Sequence, residues 1–419
     1  MARQVRPALP EPAYHTDRQQ VVKVLRRKSA DAIMAQRAAS LRARRRIYAC
    51  SRTPGGHQQT LPLQSGGGVH ICDTVLVSVL TIQAHRLEWV IQMTFALCIV
   101  GCGAFAQTFA QGIESLRNDI DLFFASRDVQ RARAYAALFQ GSGAFGSYEA
   151  AAADPRVEAM YLCTPHHLHQ AHAALAARAG KHILVEKPIA RTLEEGRGII
   201  AEAQRAGVTL MVAENYHFMA AVRACKGLIA QGRIGRLRLV QMQEEAPFRP
   251  DQWRRRRDLS GGGVFIDGGI HKAHLLRYLA GEPVRIYAAA LPQVLDEHEG
   301  EDGIVVMVQC ANGAVGLINH SWTNAPRPAP PWVSIAGTRG RLSFEVGASW
   351  LSIEQGRAER TMPLADDPSG LAPMVQAFQA SIRGGYEPEV SGAEGLSDLA
   401  VVLTAYASMD QGVALPLQR

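Results

Sequence analysis

From residue 95 onward, short and wholly apolar runs alternate with longer mixed segments. Residues 95–100 read FALCIV and residues 120–126 read IDLFFAS; residues 157–163, 182–185 and 208–213 are three further runs. Apolar runs without polar alternation suit strands buried on both faces of a parallel sheet. Residues 104–116, 129–139, 168–179 and 193–206 lie between them and are long enough for the connecting helices. Strand–helix alternation sustained over about 120 residues predicts an α/β, doubly wound parallel sheet of the Rossmann kind.

After Asn215 the pattern changes. A helix at 221–231 precedes segments with strand-like alternation at 237–243, 284–290, 303–309, 314–320, 333–336 and 341–344. Alternating faces predict an α+β domain on a mostly antiparallel, open sheet. Helices at 371–382 and 396–408 close the chain. The predicted organisation is therefore a dinucleotide-binding domain at 93–214 and a substrate-binding and oligomerisation domain at 215–419.

Residues 1–92 differ from both. They hold 14 Lys and Arg against 5 Asp and Glu, whereas the remainder holds 31 against 33. The formal charge of +7 therefore belongs to this segment alone. It reads as a disordered basic arm, a targeting sequence, or sequence upstream of a misassigned start with Met93 as the true beginning; the last is preferred, because Met93 stands two residues before the first strand. Nucleic-acid binding is not expected, since only Tyr14 and Tyr48 interleave with the arginines. Cys50, Cys72, Cys98, Cys102, Cys163, Cys225 and Cys310 are scattered and form no C-x-x-C pair. That pattern predicts neither a disulfide framework nor a zinc knuckle, and suits a reducing, cytoplasmic compartment. No uninterrupted apolar stretch has the length of a membrane helix.

Gly101-Cys102-Gly103-Ala104-Phe105-Ala106 is a G-x-G-x-x-A placed directly after a strand and at the head of a helix. The first glycine permits the turn, the second lets a pyrophosphate approach the backbone, and the alanine allows close helix–strand packing. At the end of the second strand stand Ser126 and Arg127, a hydroxyl and a guanidinium suited to the 2′-phosphate of NADP. NADP is the preferred cofactor; NAD stays open, because Asp128 would serve a ribose 2′-hydroxyl if the turn were one residue longer.

Three further motifs carry a family resemblance: Thr164-Pro165-His166-His167-Leu168-His169, Glu186-Lys187-Pro188 after the fifth strand, and GGGVFIDGGIH from Gly261 to His271. Together they resemble the Gfo/Idh/MocA family of NAD(P)-dependent oxidoreductases, from about Met93 to the C-terminus. The resemblance implies catalytic positions at Lys187, Asp267 and His271, and a homodimer or homotetramer formed through the C-terminal sheet. It places Thr164, Pro165, His166, His169 and Glu186 along the cofactor, with Trp253 and Arg254 reaching it. Relatives usually carry Asn at the position of His166, and often Asp at that of His274, a position expected to touch substrate.

The residue chemistry agrees. Alcohol oxidation needs a proton removed from the hydroxyl while hydride leaves carbon. A lysine at a strand's carboxyl end can stabilise the developing alkoxide. A histidine titrating near neutrality can relay the proton. Asp267 and His271 are four residues apart, so on a helix they would share a face. Asn215 and Tyr216, at the end of the last predicted Rossmann strand, are further candidates for cofactor and substrate. His166, His167, His169 and His172 crowd together, but no Cys or carboxylate nearby completes a zinc site, so no metal is expected. Arg254–Arg257 would either clamp an acidic substrate or form a solvated face.

These readings predict an oxidoreductase moving hydride between nicotinamide and a secondary alcohol or carbonyl of a small sugar, sugar derivative or cyclitol. An NAD-dependent glycosidase of the same fold and a cofactor-sensing regulator are the rival readings; retention of Lys187, Asp267 and His271 argues against the regulator.

Overall fold

The computed structural model describes residues 94–325, 331–364 and 367–417, so the readings of the basic segment 1–92 and of Met93 lie outside the described residues. Six strands form a parallel sheet: β1 (Phe95–Val100), β2 (Ile120–Ala125), β3 (Gly143–Phe145), β4 (Ala159–Leu162), β5 (His182–Glu186) and β6 (Leu210–Ala213). Their order is β3-β2-β1-β4-β5-β6. The winding reverses between β1 and β4, which opens a crevice at their carboxyl ends, where open α/β sheets bind ligands. Leu97, Ile99 and Val100 of β1 are fully buried, as its unbroken apolar run requires.

The helices of this layer are α1 (Ala104–Gly112), α2 (Val129–Leu138), α3 (Tyr148–Ala153), α4 (His169–Arg178) and α5 (Leu193–Ala206). Asp128, Ser147 and Thr192 cap α2, α3 and α5 by accepting from free backbone N–H groups. Helix α1 begins at Gly103 with no side-chain cap, so its first N–H groups stay available to a ligand. Strand β3 and helix α3 escape the sequence pattern because the strand is three residues long and lies at the sheet's edge.

Beyond α6 (Ala220–Ala230), nine strands form a second sheet: β7 (Leu237–Glu245), β8 (Pro283–Ala290), β9 (Gly303–Cys310), β10 (Val315–Ser321), β11 (Val333–Gly337), β12 (Arg341–Phe344), β13 (Trp350–Gln355), β14 (Ala358–Pro363) and β15 (Leu415–Pro416). Their order is β14-β13-β12-β11-β7-β10-β9-β8-β15. Strands β7 and β10 pair in parallel and the other neighbours run antiparallel, giving the expected mostly antiparallel sheet. The β13–β14 hairpin was not expected; β14 has no buried residue, so it offers no hydrophobic alternation.

Helices α7 (Gln252–Arg255), α8 (Arg257–Ser260) and α9 (Ile270–Ala280) lead into and over this sheet, with a single π-turn at Phe265–Gly269 before α9. The closing helices, α10 (Leu371–Gly384) and α11 (Gly392–Gln411), return to the first sheet. Phe378 of α10 meets the edge of Phe95 at 6.0 Å, and Val212 N–H of β6 donates to Val390 O at 2.9 Å. Both layers are thus tied together beside the crevice.

Candidate active site

Strand β1 runs into the glycine turn. Gly101 has φ +99, and a Cβ there would lie 2.5 Å from the Cys163 carbonyl oxygen, so only glycine fits. Gly103 faces open space, with nothing within 4 Å of where a Cβ would be. Ala106 is fully buried under α1, so it supports the turn without meeting a ligand. The turn borders a cleft of about 600 Å³ that also takes in Ala104, Phe105, Ser126, Arg127, Thr164, Pro165, His166, Glu186, Lys187, Trp253, Arg254 and Asp267. Arg131, Tyr148, Phe248 and Arg249 line it as well; nothing in their spacing had marked them. An uncapped helix N-terminus, a glycine open to the cleft and a crevice at the switch point together fit a dinucleotide.

At the far end of the cleft, the carboxylate of Asp128 accepts from Gln130 N–H at 2.9 Å and Arg131 N–H at 3.4 Å. Ser126 Oγ accepts from Asp128 N–H at 3.2 Å. Asp128 therefore serves the start of α2, while Arg127 and Arg131 are left facing the cleft.

The histidine-rich loop does not act as one group. His166 Nδ1 donates to Ser260 O at 2.7 Å, and its Nε2 lies 3.8 Å from Asp267 Oδ1. Burial pushes its pKa down to about 3, so the ring is neutral at physiological pH. His169 departs from expectation. It is wholly buried between Pro188 O and Thr164 O, each 2.9 Å from a ring nitrogen, and it ties two loops together rather than lining the cleft. His172 bonds Thr164 Oγ1 at 3.0 Å. Among the described residues, no three His, Cys, Asp or Glu side chains are grouped to hold a metal ion.

The triple glycine is fixed by groups far along the chain. Glu301 accepts from Gly263 N–H at 3.0 Å and Phe265 N–H at 2.8 Å, and its carbonyl takes Val264 N–H at 2.8 Å. Tyr406 Oη accepts from Ile266 N–H at 3.0 Å and donates to Glu301 at 2.9 Å. Four successive N–H groups at the entry to the π-turn are thereby satisfied. The turn carries Asp267, so Asp267 and His271 do not share a regular α-helical face as their spacing suggested.

Two sets of side chains lie along this segment, one around Asp267 and one around His271. Lys187 Nζ donates to Asp267 O at 2.5 Å, and Arg254 Nε donates to Asp267 Oδ2 at 3.1 Å. Burial pushes the Asp267 pKa up, but the charges of Lys187 and Arg254 outweigh it and hold it at about 2. His271 Nδ1 contacts both oxygens of Glu214, at 2.6 and 2.8 Å, and the Tyr216 ring stacks on the imidazole at 3.9 Å. Burial lowers the His271 pKa against the opposing charge of Glu214. Burial raises the Glu214 pKa, but His271 more than reverses this, to about 2. Nδ1–H of the imidazole faces the Glu214 carboxylate, which leaves Nε2 as the ring nitrogen turned away from it.

Other expected contacts fall elsewhere. Asn215 Nδ2 donates to Ser369 O at 2.7 Å and anchors the loop before α10. His274 engages Asp398 through Nδ1 at 2.8 Å and His217 through Nε2 at 2.9 Å, so both ring nitrogens are occupied away from the cleft. Arg255 and Arg256 pair with Glu297 and Asp258, a solvated face; Arg254 alone of the run enters the site. Glu186 is buried under the Tyr161 hydroxyl, and burial lifts its pKa to about 7.

Sequence comparison places residues 95–214 in the NAD-binding Rossmann fold of the Gfo/Idh/MocA oxidoreductases and residues 222–343 in their C-terminal domain. The chain is 29% identical to the 1,5-anhydro-D-fructose reductase of Ensifer adhaerens over 329 residues, covering 76% of this chain and 98% of that one. It is 33% identical over 257 residues to trans-1,2-dihydrobenzene-1,2-diol dehydrogenase of Mus musculus, covering 59% of this chain and 73% of that one. A solved levoglucosan dehydrogenase in complex with NADH and levoglucosan superposes with a TM-score of 0.71 at 22% identity, over 78% of this chain and all of that one (100%).

Proposed function

Starting from a chain that belongs to the Gfo/Idh/MocA family of oxidoreductases, we propose that it moves hydride between a nicotinamide cofactor, NADP by preference, and a secondary alcohol or carbonyl of a neutral sugar or sugar derivative. The observation that carries this reading is the bond of Lys187 to the Asp267 carbonyl on the cleft, with the Glu214–His271 pair formed four residues further along the same segment. When bound, the nicotinamide supplies hydride acceptance and donation. Gly101, Gly103 and the start of α1 would hold its pyrophosphate, and Ser126 and Arg127 its ribose phosphate.

The protein's own part is proton and charge management. His271 Nε2 takes the hydroxyl proton, and the resulting imidazolium is stabilised by Glu214. Lys187 stabilises the alkoxide as it forms, and polarises the carbonyl in the reverse direction. Asp267 orients Lys187 through its carbonyl and Arg254 through its carboxylate.

Related enzymes act on 1,5-anhydro-D-fructose, D-apiose and levoglucosan, which supports a sugar-sized polyol here. The outer face of the second sheet supports pairing of two copies, since Tyr287 and Met307 lie opposite each other across β8 and β9 and are both exposed. No helix among the described residues is long and apolar enough to cross a membrane. The test is turnover of those three sugars with each nicotinamide, followed by nicotinamide absorbance. Turnover with NADP(H) supports the reading, and a completely inert panel counts against it.

A further inference from the structure

Behind His271 lies a second polar cluster, built by the nine-stranded sheet. Lys272, the next residue on α9, is wholly buried. Its Nζ donates to Glu244 Oε2 at 2.5 Å and lies 5.8 Å from the centre of the Trp332 ring. Trp332 Nε1–H donates to the same oxygen at 3.3 Å. Both donors therefore use one oxygen of Glu244. Its Oε1 has no hydrogen-bond partner among the described residues, and the side chain keeps 29% of its surface exposed.

The cluster is continuous with the reacting centre. Tyr216, stacked on His271, meets Trp332 edge-on at 5.4 Å, and its hydroxyl also lacks a partner among the described residues. His320 of β10 stands opposite Glu244 in the strand register. Its ring fills the space beside Gly268, next to Asp267, and its Nδ1 is buried without a partner. Of these atoms only His320 Nδ1 is buried; Glu244 Oε1 and the Tyr216 hydroxyl are open to solvent beside it, where a polar ligand can reach them.

We propose that Glu244 is a specificity-determining residue whose Oε1 accepts a hydrogen bond from a substrate hydroxyl beyond the reacting carbon. The site then favours a neutral polyol and disfavours a substrate bearing a carboxylate or phosphate at that end. This rests on the oxidoreductase reading above. Burial pushes the Glu244 pKa up, but the Lys272 ammonium outweighs it and holds the carboxyl at about 2, so the acceptor is ionised throughout the working range. A fixed carboxylate accepts strongly from an O–H group and repels a second anion. Lys272 acts through Glu244 and is a positioning residue.

The test compares wild type with Glu244→Gln, which retains an oxygen for Lys272 but turns the free acceptor into an N–H donor. Deleting the side chain would strand Lys272, so a second variant, Glu244→Met/Lys272→Met, removes both charges together. Calorimetry reads levoglucosan and D-glucuronate binding to the NADPH-loaded protein, and 1,5-anhydro-D-fructose binding to the NADP-loaded protein. The expected result is neutral-sugar affinity at least about ten-fold weaker in both variants. In wild type D-glucuronate binds at least about ten-fold more weakly than levoglucosan, and Glu244→Gln narrows that gap. Unchanged affinity in Glu244→Gln, equal binding of D-glucuronate and levoglucosan by wild type, or no neutral-sugar binding at all overturns the assignment. Neutral sugars that bind in a Glu244-dependent way without being turned over would sink the oxidoreductase reading and leave Glu244 in its role.

Discussion

The Nδ1 nitrogen of His271 lies 2.6 and 2.8 Å from the two carboxylate oxygens of Glu214. This contact joins the end of β6 in one sheet to the start of α9 over the other. It fixes the tautomer, because a proton on Nδ1 leaves Nε2 as the basic nitrogen. Glu214→Gln should weaken this, since its amide N–H facing Nδ1 favours the proton on Nε2 and its neutral oxygen accepts from Nδ1–H more weakly than a carboxylate does. We expect kcat for alcohol oxidation to fall by about 100-fold or more, by analogy with triads whose orienting carboxylate is neutralised, and the melting temperature at pH 7 to drop as well, since ionised Glu214 also supports the fold. Steady-state rates with a thermal melt check both halves.

Acid should weaken both catalysis and the fold. Burial lowers the His271 pKa, so the acid limb of kcat should fall below the ordinary histidine value of 6.5. His166, His172 and His217 are depressed to about 3, 4 and 4, chiefly by burial. Groups of this kind contribute stability that is complete above the unfolded value of about 6.5 and is lost as pH falls toward the folded values. Glu214, Glu244 and Asp267, each held at about 2, extend the loss from about pH 4.5 downward. Glu186 and Glu301, lifted to about 7 by burial, act in the opposite sense between about pH 7 and 4.5, so melting temperatures measured from pH 7 to pH 4 should decline on balance and most steeply below about pH 4.5; a flat profile would contradict the burial of these rings.

Arg127→Ala should raise KM for NADP about ten-fold or more while leaving KM for NAD within about two-fold, as expected for loss of a charge-assisted contact to a 2′-phosphate. Equal effects on both cofactors would show that Arg127 does not read the phosphate. Asp128 accepts both capping N–H groups of α2 through its Oδ1.

Tyr406→Phe removes one hydroxyl that accepts from Ile266 N–H and donates to Glu301. Stranding buried partners costs about 1–3 kcal/mol. Because those partners hold the π-turn that carries Asp267, kcat should fall with stability, and denaturant melts together with rates should show both. A variant that loses stability alone would place the cap outside the chemistry.

The sequence pattern carries the two-sheet architecture because its strands are distinguished by burial. Unbroken runs such as FALCIV are buried on both faces, and the alternation in β9 follows its one exposed face. Lys187, Asp267 and His271 stand out in the sequence as candidates, through motif and strand-end position. Glu301 and Tyr406 do not, since they lie about 40 and 140 residues beyond the turn they hold. His169 and His274 were misjudged for a related reason. A polar residue inside a functional motif looks alike whether it meets the ligand or pins the loop, and only the partners Pro188 O and Asp398 distinguish the two.

Hydride transfer at a carbon placed beside Lys187 and His271 is tested most directly by the initial rate of nicotinamide absorbance change on the best-used sugar, for wild type and for Lys187→Met at matched folding. We expect a kcat loss of at least about 100-fold, on the scale of removing one preorganised donor from a developing oxyanion. Turnover by Lys187→Met equal to wild type would contradict it.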